Sequence, residues 1–175
     1  SDLDETGLSG ELKLGAISTV LTGLLPSTIQ YLTTSAPNLS LQIFPGTSAY
    51  LYKQLVEKKL DAIIIVTPPF ICPKYLKITP LYSEKLGFVC SLENKLNVEE
   101  SLITMPFIQY DRSAWGGAIA DSYLIDKDIH VKPLCEIDAL ESIALMVGRG
   151  MGVSLMPIFK GLEEGKHNIK VLPIS

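Results

Sequence analysis

Long apolar runs and histidines are nearly absent from this 175-residue chain. No stretch approaches the ~20 consecutive apolar residues that a membrane-spanning helix needs, and no charged-then-apolar leader opens the chain. We therefore expect neither membrane attachment nor export. The only histidines, His130 and His167, lie far apart, so the sequence offers no metal cluster and no catalytic triad. We expect no metal, no cofactor and no enzymatic activity.

Cysteine and positive charge are also scarce. Cys72, Cys90 and Cys135 are widely spaced, odd in number and form no CxxC pair. Such spacing suits a reducing cytoplasm better than a disulfide framework, so we expect a cytoplasmic protein. The net charge of −4 leaves no basic face on which a nucleic acid would lie. This stretch of chain is not expected to bind DNA by itself.

Alternating strand and helix patterns fill residues 10–66, with small hydroxyl residues at both strand-to-helix junctions. Ser18 and Thr19 follow the first predicted strand, and Thr47 and Ser48 follow the second. Ligands of open parallel sheets bind outside the carboxyl ends of the strands, where helix N-termini offer unpaired N–H groups. These four residues are therefore predicted to bind a ligand. The alternative is that each one only caps its helix.

The second half of the chain repeats this order. Strands are predicted at residues 106–110, 131–137 and 153–156, with a helix at 115–125 after the first of them. Asp138 has the spacing of a capping box and is predicted to open a helix before the last strand. Residues 81–90 are long enough to cross between the two resulting α/β lobes as a hinge strand. Clefts between such lobes close on ligands by hinge motion.

An ordered set of motifs along the chain resembles the effector-binding domain of LysR-type transcriptional regulators. The motifs are Gly10-x-Leu12-x-Leu14-Gly15-x-x-x-Thr19, Leu25-Pro26, Pro37-x-Leu39-x-Leu41, Gly46-x-Ser48-x-x-Leu51, Leu60-Asp61-Ala62-Ile63, Pro80-Leu81 and Gly150-Met-Gly-Val-Ser-Leu-Met-Pro157. The resemblance covers residues 10–175. It implies a two-lobed α/β fold of the type II periplasmic-binding-protein class, with a hinge and an inter-lobe cleft.

The resemblance also implies a division of the chain and a set of ligand contacts. The implied segments are 1–10, a remnant of the linker helix; 11–84, regulatory subdomain I; 85–168, regulatory subdomain II; and 169–175, the start of a return hinge strand. Effector contacts in the family correspond to Ser18, Thr19, Thr47 and Ser48 in the first lobe and to Gln109, Tyr110, Ile137 and Asp138 in the second. Thr67 ends the third strand and is predicted to line the cleft mouth, with a role in turn formation as the alternative.

We expect the effector to be a small anionic metabolite, a carboxylate in particular, because two helix N-termini favour negative charge. Arg112 would either reinforce that charge or remain solvated. Asp138 would face a cationic group of the effector or simply cap its helix. Tyr110 and Trp115 would form an aromatic wall, or Trp115 would serve packing.

The resemblance finally implies partners. Family dimers, which assemble further into tetramers, would pair residues 24–33 of one copy with residues 117–125 of the other. Promoter DNA would be bound only through an N-terminal winged helix-turn-helix that these residues do not include. A solute-binding protein of a transporter is the alternative, which the modest size and the odd number of cysteines disfavour. A dehydratase-like enzyme of the same architecture is disfavoured because its Thr-Arg-Phe signature is missing.

Overall fold

The computed structural model describes residues 2–162 and 167–174. Ser1 and Ser175, at the ends of the predicted terminal segments, and residues 163–166, inside predicted subdomain II, lie outside the described residues. The chain divides between Pro68 and Pro69 into two compact units. The predicted subdomain boundary after residue 84 falls inside the second unit, and the subdomain bounds stay a prediction.

The first unit contains a three-stranded parallel sheet with the strand order β2-β1-β3. Its elements are β1 (Ser9–Ala16), α1 (Ser18–Gly23), α2 (Leu25–Ser35), β2 (Asn38–Pro45), α3 (Ser48–Val56) and β3 (Ala62–Ile64). Leu14 of the central strand is level with Ile43 on one side and with Ala62 on the other. The predicted order of strands and helices is confirmed, and both helix-bearing junctions follow the carboxyl end of a parallel strand.

Successive residues of β1 face opposite sides of the sheet, and helices pack against both sides. Leu14 and Ala16 are buried in a cluster with Val20 and Leu25, from α1 and α2. Gly15 points the other way, and a Cβ built on it would lie 2.8 Å from Leu51 Cδ2 of α3. Glycine at this position lets α3 approach the strand closely.

One predicted helix is split in two. The apolar spacing from residue 18 to residue 32 indicates a single helix, but α1 ends at Gly23 and α2 begins at Leu25. Pro26 explains the break, because proline has no N–H to donate and its ring collides with the carbonyl of the residue four positions earlier. Proline is tolerated in the first turn of α2, where that N–H would be unpaired in any case.

The second unit combines an antiparallel sheet with a parallel strand pair. Its elements are β4 (Leu86–Ser91), α4 (Val98–Thr104), β5 (Pro106–Tyr110), α5 (Trp115–Asp126), β6 (Lys132–Ile137), α6 (Leu140–Gly148), β7 (Ser154–Pro157) and β8 (Ile169–Pro173). Strand β4 pairs antiparallel with β7 and β8, whereas β5 and β6 pair in parallel. A bridge between Phe107 and Val153 joins the two sets of strands.

The apolar stripe predicted for the last helix is confirmed by burial. Its four residues on α6 are all buried in one core cluster of the second unit: Leu140, Ile143, Ala144 and Val147. A second cluster forms around Phe88 and Phe107. Helix α4, which begins after the Asn97 cap, is an element that the sequence patterns above do not predict.

Three local expectations differ from the structure. The predicted hinge strand at 81–90 is a strand only from Leu86 onward, where strand pairing begins, and it ends at Ser91. Asp138 does not cap α6, whose N-cap residue is Ala139 with no side-chain hydrogen bond. Residues 2–8, predicted as a linker-helix remnant, contain no helix and form a tight turn instead.

In the part of the chain that the structure describes, no helix has the length and apolar character needed to cross a membrane.

Candidate functional site

The junction after β1 holds a buried hydroxyl group with no partner. Thr19 is only 7% exposed, and among the described residues its Oγ1 atom has no hydrogen-bond partner. Ser18 beside it is exposed. A backbone hydrogen bond of 3.3 Å from Ile17 N to Ile64 O ties the end of β1 to the end of β3. Because leaving a buried hydroxyl unpaired costs free energy, Thr19 is the residue here that most needs a partner.

The junction after β2 uses its two hydroxyl groups differently. Thr47 is the N-cap of α3, and its Oγ1 accepts a 3.2 Å hydrogen bond from Tyr50 N. The alternative role considered for Thr47, helix capping, is therefore present in the structure. Ser48 is 8% exposed, and its Oγ accepts a 3.1 Å hydrogen bond from Val66 N. A hydroxyl that accepts can still donate its own hydrogen, so Ser48 remains able to bind an acceptor.

These contacts bring the two junctions to one edge of the first sheet. The Ser48–Val66 hydrogen bond fastens the start of α3 to the chain just after β3, and the Ile17–Ile64 bond fastens the start of α1 to the same strand. Thr67, the next residue, is exposed. The predicted first-unit residues are thus held at the carboxyl ends of β1 and β3, where helix N-termini favour anions.

The second-unit residues stand at the carboxyl ends of β5 and β6. Tyr110 and Ile137 are level in the parallel pair, and Asp111 N donates a 3.0 Å hydrogen bond to Ile137 O. Gln109 is 6% exposed, and its Nε2 donates to Asp121 Oδ1 over 3.4 Å. That bond uses an amide hydrogen of Gln109 and leaves its carbonyl oxygen as an acceptor.

Tyr110 is half-buried and surrounded by carboxylates. A Cβ built on Gly116, in the first turn of α5, would lie 3.2 Å from the Tyr110 hydroxyl oxygen. Burial raises the pKa of Tyr110 to about 12, and the negative charges of Asp138, Glu84 and Asp111 act in the same direction. The phenol therefore keeps its hydrogen and can donate it.

The carboxylates near Tyr110 differ in their environments. Burial raises the pKa of Glu84, and partial burial together with the charge of Asp111 raises the pKa of Asp138. Asp111 behaves oppositely, because hydrogen bonds from the Ser113 hydroxyl and backbone N–H lower its pKa. With its cap role absent, Asp138 reaches solvent, and no hydrogen bond to its side chain is present within the described ranges.

Arg112 and Trp115 are engaged with other residues. The Nε atom of Arg112 lies 2.6 Å from Glu136 Oε2, so its positive charge is paired within the unit. Trp115 packs edge-to-face on Phe70, with 5.6 Å between the ring centroids. The Trp115 contact favours the packing role considered for that residue, whereas the pairing of Arg112 with Glu136 was not among the roles considered for it.

A family model described as the LysR substrate binding domain matches residues 5–175. The chain belongs to this family. Its predicted membership and α/β fold class, that of the two-lobed type II periplasmic binding proteins, are thereby confirmed.

Named relatives of this LysR-family chain are transcriptional regulators. The HTH-type transcriptional regulator CzcR of Bacillus cereus is 28% identical over 155 residues, which are 89% of this chain and 52% of that protein. The hydrogen peroxide-inducible genes activator of Haemophilus influenzae is 25% identical over 173 residues, 95% of this chain and 56% of that protein. The chain thus spans about half the length of the curated relatives it matches.

Solved structures share the fold of this LysR-family chain. The effector-binding domain of QuiR in complex with shikimate has a TM-score of 0.80 at 21% identity, covering 95% of this chain and 81% of that one. The regulatory domain of Synechocystis PCC6803 CcmR in complex with 2-PG has a TM-score of 0.79 at 16% identity, with coverages of 94% and 80%. At such identities the likeness establishes the fold alone.

Two acidic residues of this LysR-family domain were not among the sequence-predicted contacts. Asp111 directly follows Tyr110 at the end of β5, so the position alone would have suggested it. Glu84 lies in a segment without regular structure, and its proximity to Tyr110 follows from the fold and from no local pattern. The structure also separates the predicted residues by exposure, burying Thr19, Ser48 and Gln109 and exposing Ser18, Thr47 and Thr67.

Proposed function

We propose that this chain is the ligand-sensing domain of a LysR-type transcriptional regulator and that it binds a small metabolite to modulate transcription. The observation that carries the proposal is the family match over residues 5–175, together with relatives that are named as transcriptional regulators. The complexes of QuiR with shikimate and of CcmR with 2-PG support a small-molecule ligand for this fold.

The proposed binding residues are those predicted from the sequence. They are Ser18, Thr19, Thr47, Ser48 and Thr67 in the first unit and Gln109, Tyr110, Ile137 and Asp138 in the second. The first-unit set supports an anionic group, a carboxylate in particular, because it offers hydroxyl donors at the start of α1 and α3. Thr19 and Ser48 are the strongest members, since both are buried and both have a hydrogen left to donate.

The second-unit residues offer mainly hydrogen-bond acceptors. Asp138 and the free carbonyl oxygen of Gln109 accept hydrogen bonds, and Arg112 is already paired with Glu136. Because Arg112 is already paired, Asp138 and Gln109 remain available as hydrogen-bond acceptors. Acceptors of this kind suit a ligand group that donates hydrogen bonds, such as a hydroxyl or an ammonium group. The second-unit residues therefore support a ligand with hydroxyl or amino groups, and the first-unit residues support a carboxylate.

The proposed assembly follows the family. Residues 24–33 of one copy would pair with residues 117–125 of another to form dimers and then tetramers. A winged helix-turn-helix on the N-terminal side would bind promoter DNA, and the protein would work in the cytoplasm. The exposed Ile119 and Ile125 on α5 support such an interface, because large apolar side chains on one helix are common where proteins associate.

The non-enzymatic role and the regulator class are proposed over the alternatives. Relatives of this chain are named as regulators, which supports a sensor over a catalyst. The same names disfavour a solute-binding protein of a transporter.

A thermal-shift panel tests the proposal. The chain would be heated with hydroxy acids, amino acids, simple carboxylates and polyamines, each in a matched buffer. A ligand at a hundred times its dissociation constant adds ~2.7 kcal/mol to the free energy of unfolding, a clear rise in melting temperature. We expect a rise with hydroxy or amino carboxylates. A rise with polyamines alone would contradict the anionic part of the proposal, and no rise with any hydroxy or amino carboxylate would contradict the proposed effector class.

A further inference from the structure

His167 lies against helix α6, and most of its side chain is buried. Only 18% of the side chain is exposed, and its Nε2 atom lies 3.3 Å from Oε2 of Glu141, in the first turn of α6. Gly148, at the other end of the helix, leaves room for the segment, because a Cβ built there would lie 3.1 Å from Asn168 N and 3.6 Å from the Cβ of His167. The His167–Glu141 pair thus spans α6 from its last turn to its first.

The chain around His167 is fastened to the segment that follows β4. The Asn168 side-chain amide donates to both carboxylate oxygens of Glu93, over 3.0 and 2.9 Å. The backbone oxygen of Asn168 accepts a 3.1 Å hydrogen bond from Leu92 N. The start of β8 is therefore held on one side by the chain after β4 and on the other by the His167–Glu141 contact.

The strength of the His167–Glu141 contact depends on the charge of the imidazole. Histidine is the side chain that changes charge between pH ~5 and ~8. In its neutral form the ring carries one N–H and no charge, whereas the protonated ring can form a charge-assisted hydrogen bond with the Glu141 carboxylate. Acid therefore strengthens this contact. The gain is that of a partly exposed ion pair, because 66% of the Glu141 side chain is exposed.

The other charged residues bound to this segment belong to types that keep their charge near neutral pH. The hydrogen bonds from Asn168 hold the pKa of Glu93 below its usual value. Lys170 donates to a backbone carbonyl through Nζ, and Arg149 is the C-cap residue of α6. The charged residues that precede His167 and lie outside the described residues are Glu163, Glu164 and Lys166. Within the described part of this segment, His167 is thus the group that responds to pH near neutrality.

We propose that His167 and Glu141 form a proton-operated latch between the chain that precedes β8 and the first turn of α6. Protonation of His167 strengthens the latch by adding an ion pair, and loss of the proton weakens it. The latch acts without a ligand, so it does not depend on the proposed function. Asp138 lies just before the same turn, so the latch also steadies the chain beside a proposed ligand contact.

A double-substitution cycle at two pH values tests the latch. Melting temperatures of the chain would be compared with those of His167→Gln, Glu141→Gln and the double variant, at pH ~6 and at pH ~8. The coupling is the part of the change that is not the sum of the two single changes. We expect a coupling of about 1–3 °C at the lower pH and a clearly smaller one at the higher pH. Equal coupling at both values would overturn the latch.

The second histidine of the chain provides the matched control. His130 Nε2 lies 3.2 Å from Asp128 Oδ1, but the two side chains are 90% and 92% exposed. Asp128 has a φ of +53°, a conformation that asparagine also adopts, so Asp128→Asn and His130→Gln should leave the backbone unchanged. Solvent and salt screen such a pair, so its coupling should be near zero at both pH values. Coupling of the same size in both pairs would show a general charge effect and would count against the latch.

Hydrogen exchange at Leu92 separates a latch from a packing role for His167. The Leu92 amide donates to Asn168 O, so it exchanges when this segment opens. After correction for the intrinsic exchange rate, its protection should be about two- to fivefold higher at pH ~6 than at pH ~8. This difference should disappear in Glu141→Gln, whose exposed side chain can be exchanged for a neutral one without disturbing the core. A difference that persists in Glu141→Gln, or no difference in the unsubstituted chain, would refute the latch even if His167→Gln does not fold.

Discussion

Four hydroxyl side chains at two similar junctions do different things in this chain. Thr47 caps α3, Ser48 fastens that helix to the residue after β3, Ser18 is exposed, and Thr19 is buried without a partner among the described residues. The sequence places all four correctly at strand ends. It does not separate them, because a cap and a ligand contact require the same residue types and differ only in which backbone N–H lies within reach.

Replacing Thr19 by Val tests its role as a ligand contact. Valine matches the shape of threonine and removes the unpaired hydroxyl, so we expect no loss of stability and a gain of up to ~1 kcal/mol. A ligand that hydrogen-bonds to the hydroxyl should bind more weakly by about 10- to 100-fold, because one hydrogen bond to a charged group contributes ~1.5–3 kcal/mol. Melting curves with and without the ligand from the panel measure both effects.

Thr22→Val is the matched control for that experiment. Thr22 lies on the same helix, and its hydroxyl is exposed and donates to Ser18 O over 3.3 Å. We expect the ligand to raise the melting temperature of this variant as much as that of the unsubstituted chain. Equal losses of binding in both variants would point to a disturbed helix and would refute a specific role for the Thr19 hydroxyl.

The half-buried side chain of Glu84 should make the stability of the fold depend on pH. Burial raises its pKa in the folded chain above the unfolded value. At low pH the Glu84 carboxyl group is protonated, and its contribution to the free energy of unfolding is fully present. That contribution is lost as the pH rises through the folded pKa, because the charged form is disfavoured by burial. Glutamine is neutral throughout, so Glu84→Gln should raise the melting temperature at pH ~7, with the difference closing towards pH ~4.

Glu99→Gln serves as the control for the pH series, because Glu99 is an exposed carboxylate in the first turn of α4. Melting temperatures of both variants and of the unsubstituted chain would be recorded at each pH. A Glu84→Gln variant that is less stable at neutral pH would mean that the ionised carboxylate has a stabilising partner, which contradicts the burial argument.

At the scale of elements, periodicity locates helices and strands better than it locates their ends. The α6 stripe of Leu140, Ile143, Ala144 and Val147 is buried as its spacing predicts. The N-cap of that helix is Ala139, one residue later than the predicted Asp138, and Ala139 has no side-chain group that could mark the position in the sequence. The predicted strand at 81–90 is short for a similar reason, since a strand needs a paired neighbour as well as a suitable sequence.

Gly116 and Gly117 lie next to each other at the start of α5 and pack closely against neighbouring residues. A Cβ on Gly117 would lie 1.8 Å from the carbonyl oxygen of Asp111, so Gly117→Ala forces the helix away from β5. We expect a loss of roughly 3 kcal/mol or more in the free energy of unfolding. Chemical denaturation with urea measures this loss, and a much smaller value would show that the two elements can separate easily.

Gly116→Ala is the comparison variant in the same helix turn. Its Cβ would meet the Tyr110 ring at 3.1 Å, and a side chain can move where a backbone carbonyl cannot. The cost of that movement is offset by the ~1 kcal/mol that alanine gains over glycine inside a helix. We expect a net change near zero, so similar large losses in both variants would contradict the assignment of the close contact to Gly117.

At the scale of the whole molecule, the order of motifs carried more information than any one of them. The α/β class and the LysR family were predictable because strands, helices and turn glycines recur in a fixed sequence. The charges around the candidate residues of the second unit were not predictable. They depend on Glu84 and Asp111 lying near Tyr110, and on Arg112 being paired with Glu136, and those distances arise only when the chain is folded.

The proposed dimer can be tested by a substitution on α5. Ile119 on α5 is 56% exposed and lies in the helix proposed to meet a second copy. Ile119→Lys places a charge in that interface, and sedimentation velocity should show a shift from dimer to monomer with little change in melting temperature. Leu134→Lys, at an exposed apolar position on β6, is the control and should leave the dimer intact. A dimer that survives Ile119→Lys would rule out this face.

A regulator whose sensor domain binds a metabolite should bind DNA differently with and without that metabolite, which can be measured on the full-length protein. Promoter sites would first be mapped in cells by chromatin immunoprecipitation. Affinity for one such site would then be measured by fluorescence anisotropy, with and without the compound that stabilises this chain, in both the unsubstituted protein and Thr19→Val. We expect the compound to change the affinity or the binding stoichiometry in the unsubstituted protein only. A compound that binds the chain and leaves DNA binding unchanged would contradict it.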